Sequence, residues 1–139
     1  MSVLGWSLVA ALIWGIVPVM EKVGLGGPAA SSAGVVVRSA GVALGALAVA
    51  AATSPWTAVT RMPKHSIALL ALGGLLASVV GQLAFYQALK HGDVSRVAPL
   101  VGTYPLVAAL LGWWLLREPL TAMRLVGALL VVGGVLLLR

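Results

Sequence analysis

SIALLALGGLLASVVGQLAFYQAL, residues 66–89, runs for 24 residues without one charged side chain. A helix rises 1.5 Å per residue, so about 20 apolar residues carry a chain across about 30 Å of hydrocarbon. This stretch is therefore read as a transmembrane helix.

Four more stretches of similar character lie on either side of it. The expected spans run over about 3–23, 30–52, 66–89, 95–116 and 120–138, a polytopic all-α membrane bundle of five transmembrane helices forming a single domain over residues 1–139. The connections carry turn chemistry. Gly26-Gly27-Pro28 breaks the first helix from the second. Lys90-His91-Gly92-Asp93 ends the third with a glycine and opens the fourth with Asp93 or Ser95 as cap. Glu118-Pro119 separates the fourth from the fifth, with the proline placed for a first turn. Thr53 to Lys64 is the longest loop and holds two prolines.

The composition agrees with the spans. Of 139 residues, 61% are apolar and 9% charged, and the mean hydropathy is +1.11. A soluble domain of this length needs far more charge to cover its surface, so this surface faces lipid. The run from Leu4 to Met20 is not a signal peptide, because it lacks a basic n-region and more spans follow it. There is no cysteine, which excludes disulfides, thiolate metal sites and cysteine nucleophiles. The net charge of +6 sits mostly at helix ends, where it anchors lipid headgroups rather than nucleic acid.

Five helices put the termini on opposite sides. Arg61, Lys64, Arg117 and Arg124 then share one side, and Lys22, Lys90, Arg96 and Arg139 the other. This tie gives no orientation by the positive-inside rule and is compatible with dual topology, in which copies insert both ways. Trp6, Trp56, Trp113 and Trp114 form an aromatic belt on the first side, while Trp14 lies mid-membrane. Small residues at helical spacing let helices approach in lipid. They occur as Gly41 and Gly45 on the second helix, as Gly73, Ala77 and Gly81 on the third, and as Gly127 and Gly134 on the fifth. The last pair is the preferred dimer seam.

Polar groups at membrane depth cost free energy and tend to be functional or paired. Arg38, two turns into the second helix, either snorkels to the interface or faces a cavity that attracts an anionic or zwitterionic solute. Ser78, Gln82 and Tyr86 recur every four residues and stack on one face of the third helix, as interhelical hydrogen-bonders or as a cavity wall. Trp14, Pro18 and Glu21 share a face of the first helix. Glu21 is the one acidic residue within reach of the membrane interior. It reads as an interfacial ion pair with Lys22 or, if transport is proton-coupled, as the titrating group. Pro105, following Tyr104 near the middle of the fourth helix, kinks it, and such breaks often line a substrate path. His65 and His91 fall at opposite faces. No metal cluster, carboxylate pair or phosphate loop is visible, so the chain is not expected to be an enzyme and no cofactor is implied.

Several of these stretches together resemble the EamA-type domain of the drug/metabolite transporter superfamily. They are Tyr86-Gln87-Ala88-Leu89-Lys90, Val94-Ser95-Arg96-Val97-Ala98-Pro99-Leu100, Tyr104-Pro105-Leu106-Val107, Leu116-Arg117-Glu118-Pro119-Leu120 and Gly127. Trp14-Gly15 with Lys22, and Arg38 followed by Ala43, resemble the family's first two helices. The resemblance implies a secondary transporter of small metabolites or drugs in a prokaryotic cytoplasmic membrane. Most members carry two such units in tandem, the second inverted, and this sequence holds one. A dimer is implied, either an antiparallel homodimer, much as small multidrug resistance proteins assemble, or a pair with a homologous subunit. The intramembrane glutamate of those small proteins has no clear counterpart, which argues against cation–proton antiport. Trp14, Arg38, Ser78, Gln82, Tyr86 and Tyr104 are the expected substrate-binding residues. The alternative is a small non-transport subunit or an accessory in moving a lipid carrier.

Overall fold

A computed structural model of the chain describes residues 2–26, 30–119 and 121–137. The described residues are helical throughout, joined by short turns. Helix α1 covers Val3–Gly24 and α2 Ser31–Thr53. A short α3, Trp56–Arg61, occupies the segment expected to be loop, introduced by Pro55. Proline at a helix start costs nothing, since its missing N–H is an orphan there in any case. Pro63 likewise precedes α4, Lys64–Leu75, which runs through a π-helical segment, Leu76–Gly81, into α5, Gln82–His91. Helices α6, Val94–Val101, and α7, Tyr104–Leu116, follow, and α8, Ala122–Leu137, closes the described chain.

Four helical stretches are long and apolar enough to cross a membrane: Val3–Gly24, Ser31–Thr53, Lys64–His91 and Val94–Leu116. The fifth, α8, has 16 described residues, and the expected bounds at Leu120 and Leu138, like Arg139, lie outside the described residues. So do Gly27 and Pro28 of the first expected break. Most large apolar side chains on these helices are exposed. In water such a surface would drive aggregation, and in a bilayer it is the solvated surface.

Three local expectations change. The fourth span is broken ahead of its proline, by a turn at Gly102-Thr103, with Pro105 in the first turn of α7. Proline has no N–H to give to the preceding turn, so the helix restarts there. Asp93 stands at the N-cap of α6, but its backbone carbonyl, not its side chain, receives the amides of Arg96 and Val97. Pro119 precedes α8 instead of entering its first turn. The cap is Thr121, whose hydroxyl accepts from the Arg124 amide at 3.3 Å, while Arg124 Nη1 donates to the Pro119 carbonyl at 2.9 Å.

The chain divides into two compact units. One comprises Met1–Val19 with His91–Arg139, the other Met20–Lys90. In the second, α2 packs against the π segment. Leu25, Ser31, Val35, Gln82, Tyr86 and Leu89 are buried within this unit, so its interior gathers around two polar side chains of α5.

Candidate functional site

The site lies in the Met20–Lys90 unit and is built from three helices. The last turn of α1 supplies Glu21, the second turn of α2 supplies Arg38, and the first turns of α5 supply Gln82 and Tyr86. One carboxylate oxygen, Glu21 Oε1, accepts two hydrogen bonds and pairs with the Arg38 guanidinium. Gln82 Nε2 donates to it at 2.9 Å, Tyr86 Oη at 3.0 Å, and Arg38 Nε lies 3.2 Å away. The Glu21 side chain is 11% exposed and that of Arg38 31%. A carboxylate so enclosed is held by its donors, since losing water is costly unless charge and hydrogen bonds replace it.

The pairing of Glu21 therefore differs from the interfacial pair with Lys22. Successive residues on a helix point about 100° apart, so the two side chains diverge, and Lys22 Nζ donates to the carbonyl of Leu89. That bond ties the end of α1 to the last turn of α5, a helix end with orphan carbonyls to satisfy. Arg38 does not need to reach an interface, because its partner is at hand.

Close backbone approach makes the cluster possible. A Cβ at Gly34 would stand 2.8 Å from Leu25 Cδ2 and 2.9 Å from Tyr86 Cε2. Only glycine on α2 leaves room for the Tyr86 ring. Nothing in the sequence marks Gly34 apart from the other glycines, and the small-residue spacings do not include it. At Gly41, Gly45 and Gly73, an added Cβ would meet nothing within 4 Å.

Gln82 and Tyr86, four residues apart on α5, share a face as their spacing predicts. Ser78 lies within the π segment and is half-exposed. Gln82, four residues on, is buried and bonded to Glu21. At Gly81, a Cβ would lie 3.3 Å from the Leu76 carbonyl, five residues back, a crowding that glycine avoids. Trp14 and Tyr104 belong to the other unit, where they are 63% and 54% exposed. Gly127 and Gly134 on α8 also belong there, with nothing within 4 Å of an added Cβ.

Beside the cluster is a cavity of about 330 Å³. Its wall is apolar at Met20, Leu25 and Val37 and polar at Glu21, Arg38 and Tyr86. Glu21 Oε2 and Arg38 Nη1, buried atoms of two residues that line the cavity, have no hydrogen-bond partner among the described residues. A wider groove of about 510 Å³ in the other unit runs over Ala108, Leu111, Gly112 and Leu115, with Glu118 as its one charged group. Binding sites combine an apolar wall with a few convergent polar groups, and the smaller cavity has that character. Among the described residues, no three His, Asp or Glu side chains gather to hold a metal.

The model of the EamA-like transporter family matches residues 1–139. The chain belongs to this family. An uncharacterized transporter of a Sinorhizobium species is 33% identical over 133 residues, covering 96% of this chain and 93% of that protein. An uncharacterized Pseudomonas aeruginosa protein is also 33% identical, over 131 residues that make up 94% of this chain and 43% of its own length. An uncharacterized Methanocaldococcus jannaschii protein is 37% identical over 60 residues, 43% of this chain and 44% of that one. No solved structure matches. Membership makes this an integral membrane protein of a transporter family, consistent with its apolar helices.

Proposed function

We propose that the chain is a secondary transporter of small metabolites or drugs, working as a dimer of five-helix units by alternating access in a prokaryotic cytoplasmic membrane. The observation that carries this reading is the carboxylate of Glu21, held by an ion pair to α2 and hydrogen bonds from α5 beside a cavity whose wall is otherwise mostly apolar. An ionisable group at membrane depth is costly to keep and marks a solute or proton path. Family membership and the transporter among the relatives support it. That relative is about as long as one unit, while the aligned part is 43% of the Pseudomonas protein, which leaves room for a second.

The second five-helix subunit is an inverted copy of the same chain, joined along Gly127 and Gly134, and the two subunits rock against one another. Arg38, Ser78, Gln82 and Tyr86 hold the solute in the Met20–Lys90 unit, and Trp14 and Tyr104 each contact it as it passes the other unit. Glu21 couples transport to protons. Ionised, its Oε1 draws α2 and α5 onto α1. Protonated, it loses the charge that holds Arg38 and weakens all three contacts together, which frees the helices to move.

The test is flux. Purified protein in liposomes, screened against small metabolites and drugs under a proton gradient, gives uptake that Gln82→Ala and Tyr104→Ala reduce. Uptake of every active solute unchanged by both substitutions refutes the assigned path. No flux, with co-purification of an unrelated larger membrane complex, supports the subunit reading instead. Reporters at the C-terminus, one active only in the cytoplasm and one only outside, both give signal if copies insert both ways.

A further inference from the structure

The cavity wall carries a charge pattern that narrows its ligand. Glu21 and Arg38 cancel one another across 3.2 Å, and the remaining polar partners, Gln82 and Tyr86, are neutral side chains. The pair is incompletely used. Glu21 offers a further acceptor, Oε2, and Arg38 further N–H donors, those on Nη1 among them, and these two atoms are buried without partners among the described residues. Buried polar atoms left unpaired cost free energy. A ligand that pairs both recovers it, while one that pairs only one leaves the other stranded. An anionic head would meet Nη1 but face the Glu21 carboxylate, and a cationic head the reverse. Either would also have to shed its own hydration at a site with no net charge to offset the loss.

Resting on the transporter reading, we infer that this cavity selects a net-neutral solute whose head presents one hydrogen-bond donor to Glu21 Oε2 and one acceptor to Arg38 Nη1, with an apolar tail against Met20, Leu25 and Val37. A carboxamide has this head in its simplest form. Arg38 on its own would favour a carboxylate or phosphate, and its pairing with Glu21 removes that preference.

The experiment is a calorimetric titration of the full-length protein in detergent with three probes of matched tail: hexanamide, hexylammonium and hexanoate. Hexanamide is expected to bind more tightly than either ion by about tenfold or more, because each ion leaves one member of the pair unmatched. Arg38→Gln shifts the preference toward hexylammonium and Glu21→Gln toward hexanoate. The double substitution, which restores neutrality without a buried charge, returns it to hexanamide. Val37→Trp fills the cavity from an exposed lining position and abolishes hexanamide binding. If hexanoate or hexylammonium binds the unsubstituted protein as tightly as hexanamide, or if no probe binds, the inference is overturned. Solute flux in liposomes beside such a failure leaves the transporter reading standing, and hexanamide binding without flux leaves the ligand class standing and overturns transport.

Discussion

Replacing Glu21 by glutamine removes the charge that pairs with Arg38 and accepts from Gln82 and Tyr86. Arg38, in the second turn of α2, then keeps no ionic partner, and insertion scales put the cost of an arginine at a helix centre at about 3 kcal/mol as an upper bound for this position. Breaking a fully buried pair costs about 3–5 kcal/mol. The Arg38 side chain is 31% exposed, so the lower part of that range applies, and the amide oxygen of the new glutamine still accepts from Gln82 and Tyr86. The expected loss is about 2–3 kcal/mol. Arg38→Gln is milder, about 1–2 kcal/mol, because the carboxylate retains the Gln82 and Tyr86 donors at 2.9 and 3.0 Å. The double variant strands no charge, so its loss should fall short of the sum by about 2 kcal/mol. Reversible unfolding of all four proteins in mixed micelles, followed by far-ultraviolet circular dichroism, measures this coupling. A coupling under about 0.5 kcal/mol, the usual error of additivity for independent sites, would refute a structural ion pair.

Gly34→Ala places a methyl group 2.9 Å from the Tyr86 ring and should cost about 1–3 kcal/mol by overpacking. Gly41→Ala, with open space around it, should be neutral or stabilising in the same unfolding assay. Leucine at Gly127 and Gly134 should leave the helical signal of the chain intact, since nothing lies within 4 Å of either added Cβ, yet abolish cross-linking of a dimer joined on that face. Arg117 ends α7 at φ 54°, a left-handed conformation that costs a non-glycine residue about 1 kcal/mol. Arg117→Gly should therefore raise the melting temperature, and a lower one would count against the strain argument.

How much was legible from the chain alone follows from the kind of interaction involved. Apolar runs long enough to span a bilayer, broken by proline, glycine and a few charges, determine a helical membrane protein, because lipid leaves the backbone no other way to satisfy its hydrogen bonds. The pairing of Gln82 with Tyr86 on one face was also readable, since four residues bring an α-helix round about once. The interrupted fourth span needed only the missing N–H of Pro105 to be taken further.

The partner of Glu21 was not readable. Its neighbour in sequence is Lys22, while Arg38, Gln82 and Tyr86 come from two other helices, and only their packing decides which cation reaches the carboxylate. The π segment around Ser78 was not readable either, because helical spacing assumes an unbroken α-helix. Gly34 became the contact glycine through its position opposite the Tyr86 ring, which no spacing within one helix encodes. Local and periodic features were thus set by the chain itself. The charge balance of the site came from side chains far apart in sequence, and tertiary packing alone brought them to one oxygen atom.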